Sequence, residues 1–539
     1  MRISTSQFYE TTNASYQRNY ANYIKTAEQS SSGVKMVTAS DDPVGAARVL
    51  QLSQQNAMLT QYASNISSIN NNAANTETAL KGIVDALQSA QELAVKAGNG
   101  AYTDADRQST ADELQELQKT ILGLMNTQDA NGQYLFAGSD GSAAPYSMNA
   151  DGTYSYHGNQ TAVNLAVGDG LVLANNTTGW DAFEKAVNTT RTSATLTTPA
   201  TDDGKVGLSG GVVSSTSSYN ASFIDGQPYS LSFVSDPAGP KYVITDKNGT
   251  DVTGDAASAG SFDFSNSANQ TVKFRGVDFT LNINLSATEA ASATTANDVL
   301  AGTGATPIRT YELTSTPSTI STSRSPGNAS AATITSAAVG TTAAEQTAFN
   351  NSFPAGGGAV LQFTATGYEL YATPVEAGKA PVATGTGFGP TISAAGVTFT
   401  LSGTPQDGDS FVVEANTHQS KNILNTLSDL ITSLTTPTDG DQVALQKLNA
   451  ALTSALGNLT SGVEQASTAR SAIGARQVAA ESQGVTNDML QGNNTVESQS
   501  YTKVDQIEAA TQLTLQKTML DASQAVFLQV SKLNLFSQL

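Results

Sequence analysis

Two apolar stripes written at opposite ends of the chain constrain its fold more than any other feature. Leu52, Gln55, Leu59, Tyr62, Ile66, Ile69, Ala73, Thr76, Leu80, Ile83, Leu87, Ala90 and Ala94 recur at alternating steps of three and four. That rhythm is one face of one long helix. Ser40-Asp41-Asp42-Pro43 punctuates its start, with Ser or Asp available as N-cap and Pro suited to the first turn, and Gly98-Asn99-Gly100 its end. Thr103 and Asp106 have capping-box spacing and open a second helix with the stripe Thr110, Leu114, Leu117, Ile121 and Leu124, which Asn131-Gly132 ends. The same rhythm returns at Leu445, Leu448, Leu452, Ala455, Leu459, Gly462, Ala466, Ala469 and Ile473. More than three hundred residues lie between this third helix and its partners, so the two ends of the chain must pack together over everything between them. The stripes are rich in Ala, Thr and Gln, which predicts close packing with modest hydrophobicity. An ordinary antiparallel bundle accounts for them without any special function.

The extreme ends are amphipathic as well. Tyr9, Asn13, Tyr16, Tyr20, Tyr23 and Ala27 share one face, and so do Leu515, Met519, Ala522, Val526, Val530 and Leu533. A short helix with one apolar face is stable only when something covers it. Residues 1–40 and 491–539 are therefore expected to stay disordered until assembly. Tyr9, Tyr16, Tyr20, Tyr23, Leu515, Met519, Val526, Val530 and Leu533 form the expected assembly interface. A plain pairing of the N- and C-terminal helices is the simpler account of the same periodicity.

Between Gln133 and Leu173 the pattern changes to short alternating runs, with Asp151-Gly152 as the turn of a hairpin joining Tyr146–Met148 to Tyr154–Tyr156. Beyond Thr189 strand-like runs stand at Tyr229–Val234, Tyr242–Thr245, Val272–Ile283, Val360–Thr364, Tyr368–Tyr371, Val397–Leu401 and Phe411–Glu414, in a Ser/Thr/Ala/Gly-rich background. Gly276-Val277-Asp278-Phe279-Thr280-Leu281 matches Gly396-Val397-Thr398-Phe399-Thr400-Leu401, an internal duplication within one or two antiparallel modules. The stretch from about Ala287 to Gly358 is poor in large apolar residues and reads as loop-rich. The fold class is thus α+β: a long α-helical bundle made by N- and C-terminal segments, with a β-rich outer insertion. The expected domains are terminal segments 1–40 plus 491–539, a bundle of 41–189 plus 417–490 with a small hairpin element, and the insertion 190–416.

Chemistry has little to work with. There is no cysteine, and the histidines His157 and His418 sit in turn-like contexts without a partner at ligand spacing. HExxH, P-loop, nucleophile-elbow and dinucleotide patterns are missing. Asp246-Lys247-Asn248-Gly249-Thr250-Asp251 lacks the distal Glu of a calcium loop and reads as a β-turn. Asp41 and Asp42 suit helix capping better than acid-base work. No catalytic, cofactor-binding or metal residues are expected, and the chain reads as structural, not an enzyme. A net charge of -20 repels phosphate backbones and anionic lipid, which disfavours nucleic acid and membrane partners. Residues 1–33 are polar where a signal peptide needs an apolar segment, so export requires another route.

Met1-Arg2-Ile3-Ser4-Thr5-Ser6-Gln7-Phe8-Tyr9, Ser30-Ser31-Ser32-Gly33 and Ser40-Asp41-Asp42-Pro43-Val44-Gly45-Ala46-Ala47-Arg48 resemble the N-terminal region of the flagellar hook-associated protein three family, the flagellin-like proteins of the hook-filament junction. Glu92–Ala97, Gly100 and Asn131–Gly138 are similar to family segments in the same order. Gly474-Ala475-Arg476 and Leu533-Asn534-Leu535-Phe536-Ser537-Gln538-Leu539 fit at the other end. The resemblance covers about 1–190 and 420–539. Ala39 departs from it, where Pro is common, as does the long β-rich middle. The resemblance implies a flagellin-like fold and a structural subunit of the extracellular bacterial flagellum, supporting motility. It implies export through the flagellar type III export apparatus with an export chaperone, and self-association in a helical ring between the first hook-associated protein and flagellin. Flagellin itself, the filament subunit, is the alternative, and a secreted adhesin is a more distant one.

Overall fold

The computed structural model describes residues 5–536 apart from Asp151, 266–268, Ala305, 354–357, Pro374 and 376–377. The side chains of Thr5, Ser6, Phe8, Tyr9, Ala343 and 530–536 also lie outside the described ones. From the N-terminal side come helices α1 (Thr5–Ser32), α2 (Pro43–Ala97) and α3 (Asp104–Met125), then hairpins β1 (Tyr146–Met148) with β2 (Tyr154–Tyr156) and β3 (Asn164–Gly168) with β4 (Leu171–Ala174). The first β module holds β5 (Thr192–Thr198), β6 (Val206–Leu208), β7 (Val212–Val213), short turns α4 (Thr216–Ser218) and α5 (Ile224–Gly226), β8 (Tyr229–Val234), β9 (Lys241–Thr245), β10 (Gln270–Phe274), β11 (Val277–Ile283), α6 (Ala293–Leu300) and β12 (Thr310–Ser315). The second holds β13 (Thr319–Arg324), β14 (Thr333–Val339), α7 (Ala343–Ser352), β15 (Gly358–Phe363), β16 (Gly367–Ala372), β17 (Ala383–Thr386), β18 (Thr391–Ala394), β19 (Val397–Ser402) and β20 (Ser410–Asn416). Helices α8 (Ile423–Thr435), α9 (Gln442–Thr502) and α10 (Gln506–Phe536) close the chain. The α+β fold expected from the sequence is therefore present: long helices from both ends and a β-rich middle.

The backbone divides into two compact units. The first is Met1–Asn70, Asn164–Leu173 and Arg476–Leu539. In it α2 and α9 run antiparallel, with Arg48 gripping the Glu497 carboxylate through two bonds of 2.7 and 3.1 Å, and Gln491 Nε2 donating to Thr60 Oγ1 at 3.3 Å. Ile66, Ile69, Val167 and Ala480 form a small core. Helix amides satisfy the β3 backbone: Asn65 donates to the Ala166 carbonyl at 2.7 Å and the buried Asn487 to the Val167 carbonyl at 2.8 Å.

The second unit, Asn71–Val163 with Ala174–Ala475, contains three hydrophobic cores. In the helical one, Leu80, Ile83, Leu87 and Ala90 of α2 share one buried cluster with Leu459, Ala466 and Ala469 of α9 and with Leu114 and Ile121 of α3. Sequence reading missed α8, although Ile423, Leu427, Leu430 and Leu434 have helical spacing behind an Asn422 cap, and all four are buried here. The Thr103–Asp106 capping box is formed. Beside it the buried Arg107 bonds Asp104 at 2.5 Å and Asp439 at 2.7 Å, and the Asp104 carboxylate accepts from the Thr438 and Asp439 amides. The start of α3 is thereby locked to the turn between α8 and α9. The Arg107 bond, above all, holds the Asp104 carboxyl well below its ordinary range.

The middle leaves and returns at one neck. Val187 pairs antiparallel with Ser420, the Asn188 amide donates to the Gln419 carbonyl at 2.9 Å, and the buried Asn458 of α9 bonds both Thr189 and Thr190. Each β module is two sheets over one core. In the first, sheet β5-β12-β8-β9 faces β10-β11-β6, with β7 also on β11; in the second, β13-β20-β15-β16-β17 faces β14-β19-β18. The strand orders correspond, β5 to β13, β12 to β20, β8 to β15 and β9 to β16. The continuous β14 takes the place of both β6 and β7, with a register shift between Ile334 and Ser336. The matching sequence segments sit at equivalent hairpins. Arg275-Gly276 (φ 47° and 83°) joins β10 to β11, and Ala395-Gly396 (φ 51° and 76°) joins β18 to β19, the two-residue turn whose twist suits the strands. Glycine is required at the second position in each. A Cβ there would approach the Ser215 carbonyl oxygen to 2.6 Å and the Glu345 carbonyl oxygen to 2.0 Å.

Two expectations need correction. The run Val272–Ile283 is not one strand but this hairpin. The stretch 287–358 is not loop-rich: it carries α6, α7, β12, β13 and β14. Its strands β13 and β14 are largely half-exposed Thr, Ser and Ala, held by backbone ladders to the remote β20 and β19, a pairing that apolar content does not signal.

Behind the β1–β2 hairpin, Tyr146, Phe136 and Phe183 pack edge to face. Glu184 is half-buried beside them, and desolvation raises its carboxyl to about 7, against the nearby Tyr146 hydroxyl and the bond it accepts from Asn422 at 2.6 Å. A carboxyl raised from about 4.5 keeps its proton longer folded than unfolded, so the penalty for ionising it grows as pH rises from about 4.5 to 7 and is absent below. Glu184→Gln should thus be more stable than wild type by roughly 2 kcal/mol at pH 8, with the difference vanishing near pH 4.5. Thermal unfolding of both chains across that range tests this, and a pH-independent difference would contradict it.

Candidate assembly surface

Helices α1 and α10 lie antiparallel within the first unit. Gln506 reaches the Ser30 carbonyl at 3.4 Å, Asn19 donates to Ser523 at 2.7 Å, and the Tyr16 ring stacks on Phe527 with centroids 6.3 Å apart. The seam uses Thr12, Tyr16, Asn19, Tyr23, Thr26 and Ser30 of α1, and Ala509, Leu513, Gln516, Leu520, Ser523 and Phe527 of α10, all buried or half-buried. Both sets step by three and four, as helices in a coiled pair do. At the root the chain forms a short ladder: the Lys35 amide donates to the Thr502 carbonyl at 2.7 Å and the Val504 amide to the Gly33 carbonyl at 3.1 Å.

The residues expected at an assembly interface divide across this pair. Tyr16 and Tyr23 lie in the seam, and Tyr20 stands at its edge, half exposed, with its ring 6.3 Å from that of Tyr16. Leu515, Met519 and Val526 are on a different face of α10 and are 59%, 50% and 44% exposed. The side chains of Tyr9, Val530 and Leu533 lie outside the described ones. Helix α10 therefore carries two apolar stripes, one covered by α1 and one facing outward. Sequence reading singled out the outward stripe and missed the seam residues Leu513, Leu520 and Phe527, though their spacing was equally legible.

The polar motif between α1 and α2 is a set of caps. The Asp42 carboxylate accepts the Gly45 amide at 2.9 Å as the N-cap of α2, and a Cβ on Gly45 would stand 2.4 Å from it. Asp41 takes Lys25 at 2.6 Å and the Val37 and Thr38 amides, and the Lys25 bond leads in holding its carboxyl at about 2. In the second unit, Asp246 closes a turn by accepting the Asn248 and Thr250 amides at 2.9 Å, and His157 bonds Ser147 at 2.8 Å. Among the described residues no group of three or more His, Cys, Asp or Glu is placed to hold a metal ion, and no helix is long and apolar enough to cross a membrane.

Comparison with known proteins gives this architecture a family setting. Residues 3–140 match the bacterial flagellin N-terminal helical region. The chain is 36% identical over 183 residues to flagellar hook-associated protein 3 of Salmonella typhimurium, covering 34% of this chain and 57% of that protein. It is 37% identical over 147 residues to flagellar hook-associated protein 3 of Escherichia coli, covering 27% of this chain and 46% of that one. The chain thus spans about half the length of the curated relatives it matches. A crystal structure of flagellar hook associated protein-3 from Legionella pneumophila aligns over 83% of this chain and 97% of its own, with TM-score 0.47 and 18% identity. The resemblance to the hook-associated protein three family read from the sequence is borne out.

The two faces of α10 differ in what they hold. Leu520→Asp puts a charge into the α1 seam, so amide hydrogen exchange along α1 and α10 should accelerate at least about tenfold while the β modules keep their protection. Met519→Asp changes the outward face and should leave exchange as in wild type. Equal effects from the two variants would show that the seam does not hold the pair.

Proposed function

We propose that this chain is a structural subunit of the bacterial flagellum that joins hook to filament, and that its terminal helices are the part that assembles. The observation that carries this reading is the outward stripe Leu515, Met519 and Val526, exposed on a helix whose other apolar face α1 already covers. A half-exposed apolar row on a marginal helix pair gains stability when a neighbouring subunit covers it. The similarity to flagellar hook-associated protein 3 supports the junction over the filament as its place. In this reading the subunit passes through the type III export apparatus with an export chaperone, forms a helical ring, and sits between the first hook-associated protein and flagellin on the extracellular flagellum. The terminal segments 1–40 and 491–539 become fully ordered there, and the chain performs no catalysis.

Val526→Asp should be exported and folded, with unchanged unfolding of the β modules, yet fail to retain filaments, so that cells lose swimming and shed filaments into the medium. Normal motility of this variant would remove the outward stripe from the assembly surface.

The β-rich middle, 190–416, is in the same reading a separable insertion, because its strands leave and re-enter the bundle at the Val187–Ser420 bridge and carry cores of their own. Joining Asn188 to Thr417 through a short flexible linker should give a soluble, exported chain that still tethers filaments. Secretion of the shortened chain with detached filaments would assign the middle to contacts between subunits.

A further inference from the structure

The two β modules meet at a cavity of about 440 Å³ whose walls come from equivalent places in each repeat. The ends of the corresponding strands β12 and β20 supply Thr314 to Ser318 and Thr417 with Gln419, and the corresponding helical segments supply Tyr219 and Phe349. These two aromatics hold the same position in their repeats, each against a second ring four residues on: Tyr219 stacks on Phe223, and Phe349 packs tilted against Phe353.

One repeat alone places a cation there. Arg191, at the start of the first module, is 4% exposed and lines the cavity. Its guanidinium lies over the Tyr219 ring, 4.9 Å from the centroid, and bonds Thr216 at 3.2 Å, while Nε is buried without a hydrogen-bond partner. The other buried arginines have carboxylates: Arg107 has Asp104 and Asp439, and Arg309 has Asp203. Arg191 has none among the described residues. An arginine stays charged when buried, so it bears a desolvation cost that a ring contact offsets only in part. The wall is also amide-rich, with half-buried Gln346, Asn350 and Gln419, and Gln419 Nε2 donates to Asn350 Oδ1 at 3.2 Å. Glu312 is the one carboxylate on the wall; it is exposed and forms no ion pair with Arg191.

We propose that this cavity binds a carboxylate-bearing monosaccharide, with Arg191 holding the carboxylate and the Gln346, Asn350 and Gln419 amides meeting ring hydroxyls. The volume lies in the range of small-ligand sites, and one buried cation beside one exposed carboxylate suits a monoanion better than a dianion.

Calorimetric titration of the full chain with glucuronate, glucose and inorganic phosphate at low ionic strength tests this. Glucuronate should bind saturably, and glucose and phosphate at least about tenfold more weakly, the discrimination expected of one charge-assisted contact. Arg191→Gln should weaken glucuronate about tenfold to a hundredfold. Should that variant fail to fold, Asn350→Leu, which alters the amide wall and leaves the cation, should also weaken it. Absence of saturable glucuronate binding up to about 10 mM, equal binding of glucose or phosphate, or unchanged affinity in the folded variants would overturn the assignment.

Discussion

The helical core of the second unit depends on a contact that local chain order does not supply, α2 against α9: Gln91 donates to Thr460 at 3.0 Å, and Leu80, Ile83, Leu87 and Ala90 share one buried cluster with Leu459, Ala466 and Ala469. The excursion between these helices is long, but the entropy of closing a loop grows only with the logarithm of its length. A helical core can therefore carry a large middle, provided the middle folds by itself and exits at one place. Both conditions are met. The modules have separate cores, and the buried Asn458 holds the departing Thr189 and Thr190 on α9 beside the Val187–Ser420 bridge.

The terminal helices follow a different economy. Their seam mixes Tyr, Asn, Thr, Gln and Ser with few aliphatic residues, and one Gln516 oxygen is buried in it without a partner. Such a seam gives direction and register without much stability. Leaving a second stripe of α10 outside a seam of this kind makes the pair responsive to whatever covers that stripe. Stiffness is placed elsewhere, in the Arg107 lock and the caps at Asp42 and Thr103, where charged hydrogen bonds fix helix ends.

In the middle, the two modules share a strand order and a turn and differ on their surfaces. Arg275-Gly276 and Ala395-Gly396 preserve one hairpin because each glycine sits against the backbone of a helical segment, where no side chain fits. On the cavity where the modules meet, only the first supplies a buried cation, Arg191.

The sequence by itself determined the long helices, their caps, the flagellin-like ends and the hairpin at Tyr146, since each depends on local periodicity or on residues a few positions apart. It also placed Gly276 and Gly396 in related segments. What it left open depended on distant partners. Strands β13 and β14 exist because β20 and β19 supply hydrogen bonds across as many as about a hundred residues, which no apolar pattern announces. The two stripes of α10 were equally legible, and only packing against α1 decided that Leu513, Leu520 and Phe527 turn inward while Leu515, Met519 and Val526 face out. A helix offers its faces locally; which of them is buried is settled by the neighbour that arrives.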